Sequence, residues 1–421
     1  MQFWKLSLCA GAASVAFASA AWADDQPAAP AAAPAAPAAA APAAPAAAAP
    51  AAPAFSIGMD GPIVINPTPL VVKSGLPFLS SVTINGAITG MGLVQDNPAF
   101  GDKHAQFDLT NGQLLIEKTD GLVQFFVDVG TYSFPALGTP YTPSSKAINA
   151  NFGAIPMAYL KLAPTSDFSI EVGKLPTLIG AEYNFTFENT NIERGLLWNQ
   201  ENLVSRGVQL NYTKGPLAFN LSLNDGFYSN DLSYITGAVT WTINPTNTLE
   251  FSAGGNTRKT DTSNSATPLF LNNSEMYNLI LTHTDGPWTI QPYIQYTEVP
   301  SLSTFGTGSA STFGGAVFVS YAVPATAKLG GVSLSGLSLP ARFEYITSTG
   351  SVGANSPSLV YGPGSNAWSI TVTPTYQFGI YFVRAEVSYV QADSTTPGFA
   401  FGTNGTAKSQ TRGLIELGAL F

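Results

Sequence analysis

From Leu79 to Phe421 the chain reads as short runs in which apolar and polar side chains alternate one by one. A period of two marks strands whose two faces meet different surroundings. The run from Trp368 to Phe378 is the clearest: Trp368, Ile370, Val372, Tyr376 and Phe378 fall on one face, with Ser369, Thr371, Thr373, Thr375 and Gln377 on the other. Leu217, Phe219, Leu221 and Leu223 alternate with Ala218, Asn220, Ser222 and Asn224. Trp288, Ile290, Ile294 and Tyr296 alternate with Thr289, Gln291, Tyr293 and Gln295. Such a pattern suits a soluble sandwich as well as a membrane barrel, so no single strand decides between them.

The connections decide. Strands are expected near 80–95, 106–118, 121–131, 154–164, 168–178, 203–213, 217–226, 233–243, 248–257, 275–284, 287–298, 312–323, 338–348, 367–377, 380–391 and 410–421. Thr119-Asp120, Thr165-Ser166-Asp167, Lys214-Gly215-Pro216, Asn244-Pro245-Thr246-Asn247 and Asp285-Gly286 carry the residue types of tight turns. Longer loops at 132–153, 179–202, 258–274, 299–311, 349–366 and 392–409 lie between them. Short turns at one end and long loops at the other are the pattern of a transmembrane barrel, and strands of about ten residues suffice to cross a bilayer when tilted. The expected fold is all-β: a 16-stranded antiparallel transmembrane β-barrel over 79–421, with short periplasmic turns and long extracellular loops. Residues 324–337 are long for a periplasmic connection, which leaves the count open by two.

Composition agrees. Only 10% of residues are charged, 45% are hydrophobic and 11% aromatic, against about 25% charged in soluble domains. A net charge of −9 with scattered basic residues removes the electrostatic footprint of a nucleic-acid binder. Trp241 and Trp288 fall beside short turns and Trp368 follows a long loop, as in an aromatic girdle at both membrane boundaries. The chain closes on Gly413, Ile415, Leu417, Ala419 and Phe421 alternating with Arg412, Leu414, Glu416, Gly418 and Leu420. A final aromatic on the apolar face resembles the terminal strand of bacterial outer-membrane barrels, which implies that Phe421 is a signal to the barrel-assembly machinery.

The N-terminal part is organised differently. Residues 1–23 carry one positive charge, Lys5, then an uncharged stretch closing on Ala21-Trp22-Ala23, the pattern of an export signal cleaved after Ala23. The only cysteine, Cys9, lies inside it, so the mature chain is expected to hold none. Residues 24–54 form an Ala/Pro-rich periplasmic arm, nothing but Ala and Pro from Pro27 onward. Recurring Pro forbids a long helix, and at ~3.1 Å per residue an extended polyproline spacer of this length reaches on the order of 80 Å. The arm reads either as a linker without a specific role or as an extension toward the cell wall. Residues 55–78 are a transition, in which Ile63, Val64 and Ile65 form a short strand or a plug-like segment.

Chemistry-bearing residues are sparse. The two histidines, His104 and His283, fall at opposite ends of the expected barrel and have no partner cluster, so no catalytic set, metal site or cofactor is expected. An outer-membrane hydrolase built on either histidine is the remaining enzymatic alternative. Asp128, Lys161, Glu171, Arg342, Glu344, Arg384, Glu386, Arg412 and Glu416 share the polar faces of their strands. A charge facing lipid at midplane costs about 2–4 kcal/mol for Arg or Lys, so these residues are expected to line an interior. They read either as a neutralising network that braces the wall or as a field that sets selectivity. Loop 179–202 carries Glu182, Glu188, Glu193 and Arg194 with Phe185, Phe187 and Trp198. So many aromatics point either to a loop folded into the lumen as a constriction or to an external cap.

The stretch Gly173-Lys174-Leu175-Pro176-Thr177-Leu178-Ile179-Gly180-Ala181-Glu182, with Arg194 and then Arg206-Gly207-Val208-Gln209-Leu210, resembles the putative β-barrel porin-2 (OmpL-like) family of bacterial outer-membrane porins. A more distant likeness is to anion-selective porins of the phosphate-channel type. The resemblance implies that Gly173 to Gly180 ends a strand and that Glu182 opens a lumen-side loop. The ladder of basic residues in phosphate channels has no counterpart here, so that selectivity is not carried over. A 16-stranded barrel leaves an aqueous channel. The expected function is passive diffusion of small hydrophilic solutes and ions across the outer membrane of a Gram-negative bacterium, with outer-membrane lipid as surroundings and a homotrimer by analogy. The alternative is a plugged structural or adhesive barrel whose arm contacts the cell wall.

Overall fold

A computed structural model of the chain describes residues 61–65, 68–73, 75 and 81–421. The expected signal, its cleavage point at Ala23 and the Ala/Pro arm lie outside the described residues. The alternating runs form sixteen strands: β1 (Ser81–Gln95), β2 (Ala105–Lys118), β3 (Val123–Tyr132), β4 (Met157–Leu162), β5 (Phe168–Pro176), β6 (Val204–Lys214), β7 (Leu217–Asn224) and β8 (Tyr234–Asn244). They continue as β9 (Asn247–Asn256), β10 (Glu275–Asp285), β11 (Trp288–Val299), β12 (Ala310–Tyr321), β13 (Ala341–Ser348), β14 (Asn366–Val372, resumed as Thr375–Phe378), β15 (Tyr381–Asp393) and β16 (Ser409–Leu420). Each pairs antiparallel with its sequence neighbour, and β16 closes the barrel on β1 from Ala87↔Leu420 to Gln95↔Arg412.

The pleat sorts side chains as the sequence requires. On β16, Ile415 and Leu417 are exposed on the outer surface, while Arg412, Leu414 and Glu416 are buried inside. On β11, Gln291, Tyr293 and Gln295 turn inward, and Trp288, Ile294 and Tyr296 outward. An apolar outside and a polar inside fit a barrel in lipid. In β14, Pro374 lacks an N–H, yet it takes an outward position and parity survives: Ser369, Thr371, Thr373 and Thr375 are all buried inside.

The seam is finished by the last residue. Phe421 N–H donates to Gly86 O at 2.9 Å and Gly86 N–H to Phe421 O at 2.6 Å. A Cβ on Gly86 would lie 2.4 Å from the Phe421 ring, so the ring needs the bare glycine. Beyond Phe421 the edge of β1 is taken by a short strand, Leu70–Lys73, paired with it from Leu70↔Ile84 to Lys73↔Ser81. The long connection near 324–337 adds no membrane strand. It holds a small hairpin (Lys328–Leu329 with Val332–Ser333), and Leu337–Ser338 pairs with the end of β14, so the barrel stays at sixteen strands.

The buried apolar clusters lie inside the barrel rather than between layers. One joins Ile63, Ala87, Leu115, Phe126, Phe185 and Phe187. Its members come from the wall, from the connection between β5 and β6, and from the segment before β1.

Candidate functional site

The connection 177–203 folds into the lumen. It makes two short 3-10 turns, Thr186–Glu188 and Trp198–Gln200, and Phe185, Phe187, Ile192 and Leu197 are buried. Inward residues of β13 to β16 hold it, mostly by its main chain. Glu386 accepts from Ile192 N–H at 2.6 Å and Glu193 N–H at 3.1 Å. Arg384 donates to Thr186 O at 2.7 Å and Asn189 O at 3.0 Å. Arg342 donates to Glu193 O at 2.8 Å and pairs with Glu182 at 2.7 Å and Glu344 at 3.1 Å. A bulge on β2, where the register slips between Thr89 and Gly90, turns Thr110 and Asn111 both inward, and Asn111 donates to Thr186 Oγ1 at 2.7 Å.

On the far wall, the Tyr293 hydroxyl donates to Glu201 Oε1 at 2.6 Å and Gln295 to Leu197 O at 3.1 Å. At Gly180 the chain takes φ +94, and a Cβ would fall 1.8 Å from Glu201 Oε2, so only glycine fits this bend.

A second connection, 133–156, which carries the helix α1 (Ser144–Ala150), is stitched to the first. Leu137 N–H donates to Arg194 O at 2.9 Å and Arg194 N–H to Pro135 O at 3.1 Å. Arg412 donates to Ala136 O at 2.9 Å, to Gln95 Oε1 at 2.9 Å and to Glu193 at 2.6 Å.

The four charged residues read from the sequence as a constriction, Glu182, Glu188, Glu193 and Arg194, therefore divide. Glu193 and Arg194 have no exposed surface. Glu193 is spent on Arg412, and the Arg194 guanidinium lies 5.2 Å from the Trp198 ring and 5.9 Å from that of Phe134. Burial lowers Arg194 to about 10, against the pull of Glu182 and Glu188, which leaves it cationic at neutral pH. Neither residue faces open lumen, so the expectation that both line a constriction is corrected. They join the loops to each other and to the wall.

Glu182 and Glu188 border open space. A cavity of about 330 Å³ lies between the loop and the wall of β3–β4 and β7–β11, lined among others by Tyr159, Gly180, Glu182, Glu188, Glu250 and Gln291. Glu188 accepts from Phe185 N–H at 2.9 Å, and burial pushes its carboxyl up to about 8. Burial also raises Glu182, against the attraction of Arg342.

All nine wall charges lie on inward positions. Arg342, Glu344, Arg384, Glu386, Arg412 and Glu416 are buried under the loops. Asp128 accepts from Gln113 at 2.8 Å. Lys161 and Glu171 form a separate pair at 3.3 Å, one strand apart in register. His104 and His283 remain far from one another in the fold, bonded to Gln95 O and Asn247 respectively.

Sequence reasoning missed Glu201, Tyr293, Gln95 and Glu250. Parity placed Tyr293 on an inner face; nothing in a single strand showed which loop atom it would meet.

A closed barrel of sixteen strands, apolar outside, polar inside and narrowed by a loop from within, defines a channel protein of the outer membrane. Residues 81–421 match the family described as "Putative beta-barrel porin-2, OmpL-like", and the chain belongs to that family. Among solved structures it is similar to an anion-selective porin from Comamonas acidovorans, at 11% identity and TM-score 0.56, covering 81% of this chain and 99% of that one. It is also similar to OmpT, an outer membrane protein of Vibrio cholerae, at 13% identity and TM-score 0.53, covering 81% and 97%. At these identities the likeness is one of fold. A comparison with curated protein sequences finds no match. The protein is a porin of the Gram-negative outer membrane, a passive channel for solutes and ions.

Proposed function

We propose that solutes and ions pass between the inner loop 177–203 and the wall of β7–β11, and that Glu188, once ionised above about pH 8, makes this narrowing favour cations together with Glu182. The observation that carries the reading is the division of the loop's charges. Its acids Glu182 and Glu188 line the cavity, while Arg194 is buried on the opposite side between Phe134 and Trp198. Acidic groups at a constriction select cations by adding a negative potential where the path is narrowest. The late-strand arginines are neutralised by Glu193, Glu344 and Glu416, which leaves them little field to offer a permeating anion.

The remaining parts of the reading follow from sequence. Export is directed by residues 1–23 with cleavage after Ala23, Phe421 presents the terminal strand to the assembly machinery, and the Ala/Pro arm extends into the periplasm toward the cell wall. Passage requires no turnover, cofactor or metal, and three copies assemble as a homotrimer. The test is single-channel recording of the refolded protein in a planar bilayer under a salt gradient. At about pH 9, where Glu188 is ionised, a cation-selective reversal potential that weakens in Glu182→Gln and Glu188→Gln is expected; anion selectivity of the unsubstituted protein at that pH would overturn the assignment.

A further inference from the structure

The segment before the barrel is seated inside it. Ile63 is 1% exposed, within the apolar cluster that includes wall residues Ala87 and Leu115 and the loop residue Phe187. Gly61 N–H donates to Glu188 O at 3.1 Å, so the segment touches the inner loop at the residue whose side chain lines the cavity. Gln377, on the inner face of β14 near its periplasmic end, clamps Val64 from both sides. Val64 N–H donates to Gln377 Oε1 at 2.8 Å, and Gln377 Nε2 donates to Val64 O at 2.8 Å. A Cβ on Gly61 would lie 2.2 Å from Asn189 O, so the seat accepts glycine alone. Across the lumen, a gap of about 170 Å³ separates Gly61 and Pro62 from Thr289, Gln291, Phe318 and Ser320 of β11 and β12.

We propose that Gly61–Ile65 is a periplasmic gate in series with the inner loop, and that the channel widens when this segment leaves its seat. The inference rests on the reading of 177–203 as the narrowing of the path. Among the described residues the seat holds the segment by buried Ile63 and partly buried Ile65, one main-chain bond to the loop and a two-bond clamp from Gln377. Two neutral hydrogen bonds are weak once the water they displace is counted, so release is within reach of a modest pull or a competing contact.

Two substitutions unseat the segment by different physics: Ile63→Asp places a charge in the apolar seat, and Gly61→Val collides with Asn189 O. Neither residue belongs to a membrane strand, and folding is checked by heat-modifiable gel migration. Both variants are expected to show single-channel steps about twofold larger than the unsubstituted protein, with the reversal potential unchanged, because the open cross-section grows while the loop acids stay in place. Unchanged steps in both variants, with conduction in the unsubstituted protein, overturn the gate and leave the porin path intact. Silence of all three folded proteins overturns the path itself, and the gate with it. An independent readout uses Ile63→Cys, since the only native cysteine is Cys9. Its thiol should react slowly with a water-soluble maleimide and much faster once Gly61→Val is added; equal fast rates overturn the seat.

Discussion

Arg384 and Glu416 stand opposite each other in register on β15 and β16, with Arg384 Nε donating to Glu416 Oε2 at 2.9 Å. The same guanidinium reaches over the pair to hold Thr186 O and Asn189 O of the inner loop. Both side chains are buried, so the ion pair joins wall to wall and wall to loop at once.

Removing one partner strands the other. Arg384→Met leaves Glu416 as a buried carboxylate and frees two loop carbonyls, so a destabilisation of about 3–5 kcal/mol is expected. The double variant Arg384→Met/Glu416→Leu should be markedly less destabilised than Arg384→Met alone. Urea unfolding followed by tryptophan fluorescence checks the order; equal losses in both variants would sink the pairing argument. Single-channel traces of Arg384→Met should also be noisier, since the loop loses main-chain anchors.

Glu188 makes selectivity depend on pH. Its carboxyl, ordinarily at 4.5, is pushed up to about 8 by burial, so it is mostly protonated at neutral pH. Below about 4.5 it is protonated folded and unfolded alike; between 4.5 and 8 only the folded site keeps the proton, so stability falls as pH rises through that window. Above it the ionised carboxylate faces the cavity, and cation preference should be stronger at about pH 9 than at about pH 7. Reversal potentials at the two pH values test this, and Glu188→Gln should remove the step.

The glycine under the terminal ring predicts an assembly defect. Gly86→Val would push Phe421 from its place and weaken the two main-chain bonds that finish the seam. Folding into detergent–lipid micelles, read by heat-modifiable migration, should slow in Gly86→Val and in a chain lacking Phe421. Normal folding of both would show that the seam forms without the ring.

The histidines should be dispensable to transport. His104 and His283 bond to Gln95 O and Asn247 rather than to each other or to a carboxylate. Conductance and selectivity of His104→Ala/His283→Ala should match the unsubstituted protein; hydrolytic activity lost on this double substitution would revive the enzymatic reading.

Strand identity was legible because parity is a local property. Trp368 to Phe378 could be read as one strand through Pro374, since the proline takes an outward position without shifting the inward threonines. The inward direction of Arg342, Arg384 and Arg412 followed from the cost of charge in lipid. The loop partners of Arg342 and Arg412 did not follow, because Glu182 and Glu193 lie on a loop more than a hundred residues away, and a loop has no period to read. For the same reason Glu193 and Arg194 looked like channel-lining groups beside Glu182 and Glu188. A bend at Gly180 and the bridge between Ala136 and Arg194 turn them the other way.

Much of the wall's hold on the inner loop falls on main-chain atoms: Thr186 O, Asn189 O, Glu193 O, Ile192 N–H and Glu193 N–H. A mount that grips the backbone is largely indifferent to the side chains it carries. The cavity-facing position at Glu188 is therefore open to redesign, and one barrel can serve as a fixed frame for filters of different charge and size.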